Sequence, residues 1–199
     1  SGQSYTWVSN AHEYRLTPWS NDAVSDAGAE MLYIRNEQSG TFWSPLPRAG
    51  QGDYLCRHGF GYSEFEHEQE RIASKVTVFV CLDAPIKYTI LRLQNTGDET
   101  QELSVSSYVE WVLGDIRAKT QMHVHTWQES NLDAGTHTIL ARNPYHAEFA
   151  DFTAFYQTQS RHQRRAGQST PHWTADRKEF IGRNRSLDHP QAMERRGLA

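Results

Sequence analysis

Several residue groups in this chain have the types and spacing to do chemistry. Glu66 and Glu68 flank His67, and two carboxylates could divide acid and base roles in glycoside hydrolysis. Residues two apart on a strand share one face, so the same pair also describes a solvated strand surface. His123-Val124-His125, followed by Glu129 and Gly135, sets two imidazoles at i and i+2. On a strand these would point to one side and could share a divalent ion with a carboxylate. Arg57 and His58 stand beside Gly59 and Gly61. A tight turn there would present both side chains to a ligand, or to Glu64, Glu66 or Asp22 as structural partners. Trp19, Trp43, Tyr54 and Tyr62 lie in polar, loop-like surroundings, where an aromatic ring can stack on a sugar or plug the end of a sandwich. Other chemistries lack their residues. There is no Gly-x-Ser-x-Gly elbow and no glycine-rich phosphate loop. Cys56 and Cys81 match no metal or redox spacing, and Cys81, inside an apolar run, reads as a buried free thiol.

The elements that must position these groups are strands. In residues 101–113 Leu103, Val105, Val109, Trp111 and Leu113 are apolar at alternate positions, the pattern of a strand with one buried face. Residues 72–82 (IASKVTVFVCL) are apolar at every position from Val76 on except Thr77, which predicts a strand covered on both sides. Residues 86–95 follow the turn signal Asp83-Ala84-Pro85, and residues 95–98 (NTGD) make the next turn. These three strands are expected to form an antiparallel meander. Further strands are expected at 4–8, 31–35, 62–68, 123–129, 138–142 and 151–157. No segment keeps a long helical stripe, and only residues 174–181 and the last ten have the pattern of a short helix. Residues 17–29 and 44–53 read as long loops of the kind that carry function. The fold class is therefore all-β, an antiparallel sandwich in a single domain over residues 1–199.

Composition narrows the function classes. The chain has 199 residues, 37% of them apolar, with 6 Trp, 9 Tyr and 8 Phe. That suffices for a packed core without disulfides and excludes a disordered chain. No apolar run approaches the ~18–20 residues of a spanning helix. Residues 1–160 carry a formal charge of −9 and residues 161–199 one of +5. The basic segment has only Trp173 and Phe180 as aromatics, too few for a nucleic-acid stacking platform, so no nucleic-acid partner is expected.

The sequence becomes specific in residues 13–22 (EYRLTPWSND), 43–45 (WSP), Tyr54, 57–63 (RHGFGYS) and 65–67 (FEH). It does so again at 108–114 (YVEWVLG), 141–145 (ARNPY), Glu148-Phe149, Asp176-Arg177 and 179–184 (EFIGRN). In this order they resemble the amino-terminal supersandwich domain of family-94 glycoside phosphorylases, formerly glycosyltransferase family 36. The likeness is strongest to the phosphorylase-like region of cyclic β-1,2-glucan synthases. It implies a galactose-mutarotase-like β-sandwich, here incomplete at both ends, whose catalytic partner is an (α/α)6 barrel of the same polypeptide. Inverting phosphorolysis takes place in that barrel, with inorganic phosphate as co-substrate and no other cofactor. The isolated chain is expected to be inactive, with no catalytic residue of its own.

The resemblance also implies a role for the stretch after Glu110-Trp111, which approaches the acceptor sugar in cellobiose phosphorylases. Here that stretch contains Asp115, Arg117, His123 and His125, and Gly114-Asp115 stands where those enzymes have an aromatic-Asn pair. With Trp19, Arg57 and His58 these make the candidate set for contacts to a β-glucan or oligosaccharide. The full enzyme is expected to be a homodimer on the cytoplasmic side, with the full-length protein in the bacterial inner membrane. Two alternatives remain: a free-standing carbohydrate-binding module, and a cupin-like metal protein built on His123, His125 and Glu129. The second lacks the glycine expected before the first histidine and any second motif, and no metal is expected.

Overall fold

Residues 72–80 show how the chain makes its layers. Ile72, Ser74 and Val76 are buried, while the residues between them are only partly covered, the two-residue period of a strand with a single core face. The computed structural model describes residues 5–19, 22, 24, 28–131, 136–162 and 178–188. Its strands are β1 (Glu30–Asn36), β2 (Phe42–Trp43), β3 (Leu55–Gly59), β4 (Tyr62–Gln69), β5 (Ile72–Val80) and β6 (Ile86–Asn95). They continue as β7 (Leu103–Val109), β8 (His125–Asn131), β9 (Thr136–Arg142), β10 (Phe152–His162) and β11 (Lys178–Asp188). One short helix, α1 (Arg117–Thr120), runs into a 3-10 turn at Gln121–His123.

All pairings are antiparallel, and they form two sheets. The large sheet has the order β3-β4-β5-β6-β11-β10-β9-β8, and the small one β2-β1-β7. The all-β antiparallel sandwich expected from the sequence is therefore the fold. A first core of Ile34, Trp43, Phe65, Val76 and Leu91 fills the space between β1–β2 and β4–β6. A second core of Tyr14, Leu16, Leu113, Ala141, Phe149 and Ala154 seals β9 and β10 beneath three irregular segments. Among the described residues no helix is long and apolar enough to cross a membrane.

Several expectations change. The third strand of the meander, β7, leaves β6 and pairs with β1 in the other sheet, and β11 takes its place beside β6. It also ends at Val109, four residues early. Residues 72–82 are not covered on both sides, since Val80 and Leu82 are exposed. Of the strand expected at 4–8, residue 4 lies outside the described residues, and among 5–8 only Trp7 forms a bridge, to Arg15. The strand expected from 123 begins at His125. Lys178 to Ile181, read as part of a short helix, belong to β11, while 174–177 and the last ten residues lie outside the described set. Cys56 is exposed and Cys81 only half-buried, so neither is the buried thiol expected of Cys81.

Candidate functional site

The segment around Arg15 organises one corner of the molecule. Tyr14 and Leu16 are buried in the second core, so the alternation turns Arg15 outward between them. The Arg15 N–H donates to the Gly114 carbonyl at 3.1 Å, and the Gly114 N–H donates back to the Arg15 carbonyl at 3.0 Å. This bridge brings together chain segments about a hundred residues apart. The guanidinium then donates through Nε to the Ala11 carbonyl (3.0 Å) and through Nη1 to the Asp115 carbonyl (3.1 Å). Its Cζ lies 5.4 Å from the centre of the Trp19 ring, within cation–π range.

Beyond the bridge the chain turns sharply. Leu113 has φ +46°, a left-handed conformation that costs a non-glycine residue ~1–2 kcal/mol. Burial of its side chain contributes ~1.5–3 kcal/mol and outweighs that cost. Asn143, itself buried, donates from Nδ2 to the Leu113 carbonyl at 3.1 Å and fixes the turn. Gly114 follows because a Cβ there would lie 2.6 Å from Thr120 Cγ2, so only glycine lets α1 close onto the bridge.

The result is a groove of about 370 Å³ lined by Arg15, Trp19, Asp115, Ile116, Arg117 and Gln121 among others. Trp19 is 47% exposed. Arg117 pairs with Glu110, and Lys119 lies 3.3 Å from Asp115. Burial works against the charged Asp115 carboxyl, but the Ile116 N–H, the Lys119 ammonium and its own N–H outweigh it and hold it below the ordinary carboxylate range. A half-exposed indole beside fixed guanidinium and carboxylate groups can offer a flat apolar face and hydroxyl partners together.

Of the seven candidate residues, Trp19, Asp115 and Arg117 meet in this groove. His123 lies two residues past Gln121, but its ring stacks on Tyr145 at 4.2 Å and does not line the groove. His125 opens β8 and is exposed, so the two histidines sit on different elements and are not a His-x-His pair on one strand face. Among the described residues no three His, Cys, Asp or Glu side chains group as metal ligands. Arg57 and His58 lie on the edge strand β3, where Arg57 pairs with Glu66 at 2.7 Å and His58 Nδ1 is 2.9 Å from Ser63 Oγ. They lead into the tight turn at Phe60-Gly61, and Glu66, one of the structural partners expected for them, is the partner of Arg57. Trp43 is 3% exposed and fills the first core, while Tyr54 stacks on His67 at 4.1 Å. The sequence reading missed Arg15 and Gln121. Arg15 was visible four residues before Trp19 in the EYRLTPWSND stretch, but its position over the ring depends on the bridge to Gly114.

Fold and groove together define a class, a two-layer antiparallel β-sandwich domain with an aromatic and charged groove at one corner. The chain belongs to the family described as "Glycosyl hydrolase 94, supersandwich domain", which matches residues 1–199. It is 32% identical over 196 residues to the cyclic beta-(1,2)-glucan synthase NdvB of Rhizobium meliloti (strain 1021), covering 96% of this chain and 6% of that protein. It is 28% identical over 193 residues to the N,N'-diacetylchitobiose phosphorylase of Vibrio proteolyticus, covering 93% of this chain and 23% of that enzyme. A phosphorylase of the same name from Vibrio furnissii is 27% identical over 160 residues, 76% of this chain and 19% of that enzyme. The chain therefore spans less than a quarter of the length of each of these relatives.

Proposed function

We propose that this domain is a non-catalytic module that frames the acceptor end of a β-linked glucan beside a helical catalytic barrel carried by the same polypeptide. The observation that supports the reading is the groove, in which Trp19 with Arg15 over its ring faces Asp115 and Arg117. Trp19 supplies the apolar face for a sugar ring, and Arg117 and Asp115 supply donors and acceptors for its hydroxyls. The names of the relatives, a glucan synthase and two chitobiose phosphorylases, agree with a carbohydrate partner. In this reading the barrel performs phosphorolysis or its reverse with inorganic phosphate. The whole protein works as a homodimer on the cytoplasmic side of the bacterial inner membrane.

The test is Arg117→Ala in the whole protein. Because Arg117 is on the surface and its partner Glu110 is only partly buried, the loss of stability is expected to be small. Use of the acceptor sugar is expected to fall by more than the change in stability accounts for. Unaltered acceptor kinetics would make Arg117 a structural partner of Glu110 and remove it from the site.

A further inference from the structure

The outer face of β4, β5 and β6 gathers polar side chains around a hollow that shares no lining residue with the groove. The register sets Glu66, Lys75 and Arg92 in one row across the three strands and Glu68, Ala73 and Gln94 in the next outward row. Phe65, Val76 and Leu91 form the buried row beside them, so the alternation turns both polar rows to solvent. Ala73 is the shortest side chain of the six. Over it lies a concavity of about 610 Å³, bordered by Asp53, Tyr54 and Leu55 at the β3 edge.

The charges around the hollow are held in place by one another. Lys75 Nζ lies 2.9 Å from Glu64 and 3.5 Å from Glu66, and Arg57 lies 2.7 Å from Glu66. The hydrogen bond from Lys75 holds the Glu64 carboxyl below its ordinary range, and that from Arg57 does the same for Glu66. Both carboxylates are thus ionised at neutral pH, and the row carries both signs, Glu66 followed by Lys75 and Arg92. A strongly charged ligand meets no field of one sign here. A neutral ligand rich in hydroxyls meets donors on Lys75 and Gln94, acceptors on Glu66 and Glu68, and apolar rim surface on the half-exposed Leu55.

We propose that this outer face is a second binding surface, for a neutral oligosaccharide. Affinity electrophoresis of the full chain through gels containing soluble neutral β-glucan tests it, with polygalacturonate as the charged control. Retardation by the neutral glucan is expected, and it persists in Trp19→Ala, which alters only the groove. Ala73→Leu fills the hollow on a solvent-facing strand position and is expected to weaken retention about tenfold, the scale of losing one anchoring contact, with no fall in melting temperature. Gln94→Leu is expected to weaken it as well. The proposal is overturned if neutral glucan causes no retardation, if both hollow variants are retained like the parent, if only polygalacturonate retards the chain, or if Trp19→Ala alone abolishes binding.

Discussion

A methyl group on Gly114 would collide with Thr120, and this contact decides how closely α1 can approach the Arg15 bridge. Gly114→Ala is therefore expected to cost about 1–3 kcal/mol, the usual scale of overpacking, read as a lower urea midpoint. Thr120→Ser removes the methyl that would clash, so the double variant should recover part of the loss. Equal loss in single and double variants would contradict the packing account. At this scale the sequence was legible in part. The stretches that carried the family resemblance prove to be positioning residues: Tyr14 and Leu16 in the second core, Asn143 on the Leu113 carbonyl, and Gly61 with φ +78° in the β3–β4 turn. What they position was less visible. Trp19 and Asp115 are far apart in the chain, and nothing local to either reveals that the bridge from Arg15 to Gly114 brings them together. The strand placement of His123 changes for a local reason, since the 3-10 turn at Gln121–His123 takes it off the strand that its alternation with His125 suggests.

At the scale of elements, an ion pair between β1 and β6 ties the two sheets together. Lys87 Nζ donates to Glu30 at 2.5 Å and to Thr6 Oγ1 at 2.8 Å, and Thr17 Oγ1 donates to Glu30 at 3.0 Å. Both charged side chains are mostly shielded from solvent, at 12% and 17% exposure. Removing one partner leaves the other charge uncompensated. Lys87→Met is expected to destabilise by ~3–5 kcal/mol, and Lys87→Met with Glu30→Met by clearly less, both measured by denaturant unfolding. If the double variant lost as much as the sum of both singles, the pair would not be acting as a unit. The elements hardest to read in the sequence were those without a one-sided core face. Strand β3 is exposed at every residue because it is an edge, so it has no alternation to detect. The turn signal at residues 95–98 marks the end of β6, followed by a bend, but such a signal does not specify which sheet the next strand joins, and β7 crosses to the small one.

At the scale of the whole molecule, residues 14–16, 111–114 and 143–149 cover β9 and β10, and the groove is lined by Arg15 and by the residues that follow the first two stretches, Trp19, Asp115 and Arg117 among them. The sandwich core thereby holds the groove walls in place, which is how the domain would contribute to a site in the proposed reading. The relatives are several-fold longer than this chain, so that contribution has to be measured in the whole protein. The most direct measurement is the acceptor-sugar KM of Trp19→Ala in that protein. Loss of the stacking face is expected to raise it about tenfold while the phosphate KM and the melting temperature stay as in the parent. An acceptor KM equal to that of the parent, with the variant folded, would contradict the claim that this groove frames the acceptor sugar.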